Sequence, residues 1–477
     1  MDFKKFTLVA ALMAAPMASF ATDYFVTPEG RGTGDGSSWD NAMSFGTLLD
    51  TRNDYNTGDV FYFSGETYYV PKVVAFIKGY TFIGGFNPEL TGTEHETPTY
   101  PSATPTILSG DTNKDGEMNS GDVARLIALG NADNPLEEKF VITGFEFTKA
   151  YSPTSTETQG ALFTRNCTDV EVNNCRFYDN VADKYYGGMA FTGQYSTVCF
   201  NDCEFFNNTA EARGGAIRLS SNDKTKGVTV LNRCLIADNS VSQKTGSAIC
   251  VQHGMSLYII NSTITGNTSG ETSGAIFSNG DDGSFTRNVY IVGSTIAGNG
   301  SGPQVEMSDN ANIYVANSIV VSDGDASAFS LKSVKTGVSG GMNILGSDAS
   351  GVLTLQATDN AEAGNNYEKI FGTNELGDNG VIEPLAEEGE YKAAALAAAI
   401  ADWGIISDVK VDQTGAERAD GSTPGAYAKT TSSGIEAVEA GDGVADGAYY
   451  TLQGVKLGAR PTATGIYIHN GKKVIIR

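Results

Sequence analysis

The sequence predicts an all-β solenoid with a helical cap at its N-terminal end and a small β module at its C-terminal end. Three observations carry that prediction. A motif recurs: "CRFYDNVADKYYGGMA" from Cys175, "CEFFNNTAEARGGAI" from Cys203, "CLIADNSVSQKTGSAI" from Cys234 and "STITGNTSGETSGAI" from Ser262, with shorter copies from Ser294 and Ser318. Upstream of the copies apolar residues alternate, as in Val170 and Val172, Val198 and Phe200, or Leu257 and Ile259, the period-two signature of strands with one buried face. Gly makes up 57 of 477 residues and charged residues only 18%, so the chain is turn-rich and ordered rather than a disordered polyelectrolyte. One compact core does not serve a chain of this length, whereas stacked repeats have no such ceiling.

Each repeat reads as one coil. Taking the Cys or Ser as position zero, Phe177, Phe205, Ile236, Ile264, Ile296 and Val320 follow two residues later. Asn180, Asn208, Asn239, Asn267 and Asn299 follow five residues later, with Asp323 in the last copy. The spacing predicts that the asparagines form one column along the solenoid and Cys175, Cys203 and Cys234 another. The residue before position zero (Asn174, Asp202, Asn261, Gly293, Asn317) is a corner, since Asn, Asp and Gly tolerate a left-handed backbone. The "GGA" or "SGA" element lets the backbone turn where a larger side chain would clash. Stacked strands lie ~4.8 Å apart, a Cα separation within disulfide range, but their Cβ vectors run parallel. Buried free thiols are therefore expected at Cys175, Cys203 and Cys234. Cys167, Cys199 and Cys250 fall outside the column.

At the N-terminus, Lys4 and Lys5 precede the apolar run from Phe6 to Ala15, and Ser19 and Ala21 provide small residues at a cleavage site. Residues 1–21 read as a signal peptide, against the alternative of a buried first helix. Residues 22–80 supply a cap and first coil. Asp40 to Arg52 reads as a short amphipathic helix, with Ala42, Phe45, Leu48 and Leu49 on one side. Trp39 reads as a capping residue, the alternative being a sugar-binding aromatic.

These repeats resemble those of right-handed parallel β-helix proteins, in particular the polymorphic outer-membrane protein type within the pectin-lyase-like superfamily. "GTGDGSSWDNAMSF", "GDVFYFSGETY", "YTFIGGFNPEL" and "TILSGD" are similar to that family's cap and first coils, and "DQTGAERADGSTPGAYA" to its closing coil. The resemblance spans residues 22–428 and implies a right-handed parallel β-helix. It implies little about activity, because this fold hosts lyases, hydrolases, adhesins and inert scaffolds.

Residues 110–130 are an insertion of EF-hand or dockerin type. Asp111, Asn113, Asp115, Glu117, Asn119 and Asp122 fall at positions 1, 3, 5, 7, 9 and 12 of a calcium loop, with Gly116 at position 6. A helix is expected over the "VARLIAL" that follows. The loop resembles one half of a dockerin repeat, but without a second copy cohesin docking is not implied. A structural Ca2+ ion is the expectation, the alternative being an acidic loop without metal.

Residues 429–443 read as a polar linker and 444–477 as a separate module of three short strands. Gly465, Ile466, Tyr467, Ile468, Asn470, Gly471, Lys472 and Lys473 resemble the end of a type IX secretion sorting domain. That resemblance implies secretion machinery as a partner, and a protein secreted from or displayed on the surface of a Gram-negative bacterium. The alternative is a small sandwich that merely caps the chain.

The net charge of −24 argues against nucleic acid, anionic lipid or unaided polyanion as partner, since each such contact wants Lys or Arg. Beyond the signal, no run approaches the ~20 apolar residues of a membrane span. His95, His253 and His469 lack metal-ligand spacing, and no P-loop or zinc-protease motif occurs. Arg213 and Arg218, with Asp179, Asp202 and Asp238, are the residues a calcium-assisted lyase could draw on, yet such residues are expected on any coil surface. No catalytic residue is therefore assigned. The expected role is adhesive or glycan-contacting, toward polysaccharides or host or microbial surface glycans. The alternative is a polysaccharide lyase or glycoside hydrolase, which a groove of aromatics and carboxylates on consecutive coils would favour.

Overall fold

The structure, a computed structural model, describes residues 21–430 except 154–159, 222–226, 244, 272, 280–284, 323–326, 347–350, 352, 362–365, 373–381, 386–388 and 406; beyond these it describes 449–450, 456–457, 459, 465–469 and 472–476. The signal peptide, apart from Ala21, lies outside the described residues, as do Asp323, Asn470 and Gly471. The chain divides into one unit ending at Thr430 and another beginning at Thr431.

The first unit is a right-handed parallel β-helix. Its coils build three long parallel sheets of twelve, ten and nine strands, with a fourth, five-stranded sheet between the second and third. One coil runs through Val170–Asn173 in the first sheet, Arg176–Tyr178 in the second, Val181–Tyr186 in the fourth and Phe191–Gln194 in the third. The next coil begins with Thr197–Asn201, paired so that Val198 lies beside Val170 and Phe200 beside Val172. The corner between the first and second sheets needs a left-handed residue on every coil. Asn174, Asp202, Asn261, Gly293 and Asn317 take φ of 51°, 55°, 49°, 59° and 48°, and Arg233 fills the same corner at 54°.

Inside the wall like stacks on like. Phe177 lies 4.5 Å from Phe147 and 4.9 Å from Phe205, the rings within 9° of parallel. Below them Ile236, Ile264 and Ile296 continue the column, all fully buried. Cys203 Sγ accepts the Cys175 N–H at 3.5 Å and Ser262 Oγ accepts the Cys234 N–H at 2.9 Å, so each small polar group serves the coil before it. Cys175, Cys203 and Cys234 carry free thiols, as do Cys167 and Cys199. Burial holds the Cys203 thiol well above its ordinary pKa and pushes Cys167 and Cys199 up to about 11. These thiols are therefore protonated near neutral pH and poor nucleophiles. The asparagines form a continuous buried ladder. Each Nδ2 donates to the next Oδ1 at 2.8 Å (Asn180 to Asn208), 2.9 Å (to Asn239), 2.9 Å (to Asn267) and 2.7 Å (to Asn299), and Gln304 Oε1 accepts the last bond.

The paired glycines have a steric cause. A Cβ on Gly215 would stand 2.2 Å from Ser247 O on the next coil, and Gly214 has φ +83°. A larger residue there would push successive coils apart.

At the N-terminal end the helix is shorter than expected. It covers Phe45–Thr51, capped by Ser44 Oγ accepting the Thr47 N–H at 3.0 Å. Residues 40–44 are not helical in that way, because Met43–Ser44 adds a strand to the first sheet beside Val26 and Thr27. Trp39 is fully buried against Phe25, and its indole N–H donates to Glu94 O at 2.7 Å, so it caps the solenoid.

The "VARLIAL" segment is not a helix. Ile127–Leu129 is a strand of the third sheet, pairing with Leu162, Phe163 and Thr164 on one side and with Ala75 and Phe76 on the other. Leu126 to Leu129 are all buried, which one helical face would not achieve for four consecutive residues.

Described segments between Tyr367 and Tyr427 coat the C-terminal coils. Outside the first sheet, Tyr258, Tyr290 and Tyr314 stack at 4.3 and 4.6 Å, and Trp403 lies 5.4 Å from Tyr314. The helix Ala393–Ala399 contributes Leu396 to this cluster. Outside the second sheet, the helix Tyr367–Phe371 packs on Ala297, Ile319 and Val321. Arg418 pins the closing segment to the corners: its Nη2 donates to Gly293 O at 3.1 Å and Gly425 O at 2.7 Å, and burial lowers its pKa to about 10.

The second unit is a four-stranded antiparallel sheet of Tyr449–Tyr450, Lys456–Leu457, Gly465–His469 and Lys472–Ile476. It has one strand more than the sequence indicated, because Lys456–Leu457 pairs with Tyr449–Tyr450 as an edge.

Candidate functional site

Where the coat stops, the outer face of the second sheet is partly exposed. Strand alternation decides which residues face out: Phe147, Phe177 and Phe205 point inward, so the residues on either side of each point outward. Register then sets Glu146 beside Arg176 and Arg176 beside Glu204, with Tyr178 beside Phe206 in the parallel row.

These outward side chains form one network. Arg176 Nη1 donates to Glu146 Oε1 at 3.2 Å and its Nε to Glu204 Oε2 at 2.9 Å. The Tyr178 hydroxyl donates to the other Glu146 oxygen at 2.8 Å. Tyr178 and Phe206 stack at 5.1 Å and 8°, and the guanidinium lies 4.9 Å from the Phe206 ring centre. Burial opposes the charge on Arg176, but the hydrogen bond and charge of Glu204 and the charge of Glu146 outweigh it, so its pKa is raised. Burial, then the Glu146 hydrogen bond, raises the pKa of Tyr178.

Beside this network runs a cleft of about 410 Å³. Asn174, Asp202 and Arg233, the corners of three consecutive coils, line it together with Arg176 and Glu204. Tyr100 and Pro101 come from the excursion after the second coil, and Gln413, Thr414 and Tyr427 from the closing segment. Tyr100 reaches the cleft because Gly144 leaves room: a Cβ there would fall 2.0 Å from its ring. Gln413 is fixed by Thr263 Oγ1 at 2.6 Å and by donating to Cys234 O at 3.1 Å. Arg233 holds Asp202 through two bonds, at 2.7 and 2.5 Å.

Of the residues the sequence nominated for a lyase, only Asp202 lies in this cleft. Arg218 sits on the third sheet with its Nε donating to Gln252 at 3.2 Å, and Asp179 and Asp238 turn the corners beyond the second sheet, at φ 53° and 55°. No sequence pattern singles out Glu146, Arg176 and Glu204, because residue type changes from coil to coil there; only register joins them.

The loop 111–122 is wound on itself. Asp111 accepts the N–H groups of Asp115 and Gly116 at 3.1 and 3.0 Å, and Asp122 those of Thr112 and Asn119 at 3.2 and 2.8 Å. Asn113 and Asn119 both donate to Asp115 Oδ2 at 2.8 Å, so these three heads meet, whereas Glu117 stays exposed. The Lys149 ammonium stands 3.6 Å from Asp111 and donates to Gly116 O at 3.0 Å. The donors suit a hard cation in kind, but Lys149 stands on the Asp111 side of the loop. Among the described residues no group of three or more His, Cys, Asp or Glu converges as a metal site.

No family model and no curated protein matches the chain. Among solved structures it is similar to a rhamnogalacturonan lyase, at 14% identity over 64% of this chain and 75% of that one, with a TM-score of 0.41. It is also similar to a glycoside hydrolase (7% identity, 72% and 97%, TM-score 0.42) and to pectate lyase Pel9A (14% identity, 86% and 90%, TM-score 0.42). At this level the likeness says nothing of the chemistry.

Proposed function

We propose that the chain is a secreted or surface-displayed β-helix that contacts glycans through the outer face of its second sheet, as a binding scaffold rather than a catalyst. The observation that supports this reading most is the pairing of a planar Arg–carboxylate network with a stacked aromatic pair beside a cleft. Sugar rings offer apolar C–H faces and a rim of hydroxyls, which such surfaces match. The polymorphic-type repeats and the sorting-type tail support display outside the cell, with secretion machinery as partner of the last 40 or so residues. No described helix is long and apolar enough to cross a membrane.

One observation favours the alternative, a lyase or hydrolase: Glu146 and Glu204 lie on the coils either side of Arg176, near Asp202. Each is paired with an arginine, however, so its hydrogen bonds are already taken up within the network. Arg176, its pKa raised, is a poor base. The test is affinity electrophoresis of the purified chain in polysaccharide gels, with release of reducing ends or unsaturated product followed in parallel. Phe206→Ala is expected to weaken retention about tenfold, roughly 1.4 kcal/mol, with little change in melting midpoint and no product released. Product release by the wild type would transfer the site to the enzymatic reading.

We also propose the loop 111–122 as a structural calcium loop in which the ion displaces the Lys149 ammonium. Asp111, Asn113, Asp115, Asn119 and Asp122 would supply side-chain oxygens and residue 117 its carbonyl, within the six to eight that calcium takes. Calcium is then expected to protect residues 112–131 from limited proteolysis, and Lys149→Gln to lower the calcium needed. Identical digestion patterns with calcium and with chelator would remove the ion from the reading.

A further inference from the structure

Resting on the glycan reading of the second-sheet face, we infer that the cleft takes neutral glycans and rejects uronate polymers, and that Arg176, shared between Glu146 and Glu204, sets that selectivity. The charged groups of the cleft lining and of the Arg176 network are three carboxylates, Glu146, Asp202 and Glu204, against two guanidiniums, Arg176 and Arg233. Both guanidiniums are committed. Arg233 makes two bonds to Asp202, and Arg176 makes one each to Glu204 and Glu146. A uronate arriving here would meet no uncommitted cation and one carboxylate in excess, on a chain whose net charge is already −24. Its carboxylate could reach Arg176 only at Nη2, where it would stand beside Glu204 with no cation left to balance the pair.

A neutral pyranose meets no such conflict. Arg176 Nη2 has no protein hydrogen bond and is a donor at the rim, while Glu204 Oε1 is an acceptor on the same network. A hydroxyl is both acceptor and donor, so one sugar edge satisfies the two at once. Leu235 and the rings of Tyr100 and Tyr427 offer apolar area for the sugar faces. The three coils cover about 10 Å along the solenoid, room for two linked sugars.

The experiment is affinity electrophoresis of the full chain in gels of hydroxyethylcellulose, xyloglucan, galactomannan and polygalacturonate, for the wild type, Glu204→Gln and Phe206→Ala. The wild type is expected to be retarded by at least one neutral polymer, with Phe206→Ala relieving that retardation, and to pass polygalacturonate freely. Glu204→Gln removes the excess carboxylate and loosens Arg176, so it is expected to gain at least threefold in retardation by polygalacturonate. Retardation of the wild type by polygalacturonate, or no gain in Glu204→Gln, would overturn the selectivity and leave the glycan reading standing. Passage of the wild type through all four gels would overturn that reading as well.

Discussion

Phe177→Ala is expected to destabilise the β-helix by about 4 kcal/mol, the cost typical of emptying a phenylalanine site in a packed core. The ring is fully buried and stacked on both faces, by Phe147 above and Phe205 below, and Phe200 meets its edge at 6.1 Å. Partners on successive coils are held at strand spacing by backbone hydrogen bonds, so they cannot collapse into the space left. The urea midpoint of the variant measures the effect. A loss below about 1 kcal/mol would mean that the ring does not sit within a continuous stack.

Asn208→Ala is expected to cost on the order of 3 kcal/mol, the upper end for orphaning buried polar groups. Its Nδ2 donates to Phe177 O, Phe206 O and Asn239 Oδ1, and its Oδ1 accepts from the side chain and backbone N–H of Asn180. Alanine removes all of these at a site with no exposure, and no solvent reaches the groups left behind. Hydrogen exchange should show the loss spreading to the neighbouring coils through the Asn180 and Asn239 amides. An unchanged melting midpoint would count against a hydrogen-bonded ladder at this position.

What could be read in the sequence is what the stacking repeats. A position that must be left-handed, small or amide-bearing on every coil writes the same residue type at a fixed spacing, and so the corners at Asn174, Asp202 and Asn261 were visible. Elements that occur once were not. The "VARLIAL" apolar residues suit a helix as well as a buried strand, and only the slot between Ala75–Phe76 and Leu162–Arg165 makes them a strand. The coat is not legible in the sequence because "AAALAAA" repeats nothing; its helix is placed by the tyrosine stack it covers. The candidate site was hidden for a related reason. Outward residues are free to vary, so Glu146, Arg176 and Glu204 lie about 30 residues apart without resembling one another. Three-dimensional register, not pattern, brings them together.

The most direct measurement of glycan contact at this face is a crystal structure of the chain soaked with an oligosaccharide of whichever neutral polymer retards it. Density for sugar rings across the cleft, with hydroxyls on Arg176 and Glu204 and a ring face against Leu235 or Tyr427, is the predicted result. A sugar bound elsewhere on the solenoid or on the C-terminal sheet, with this cleft empty at saturating ligand, would contradict it.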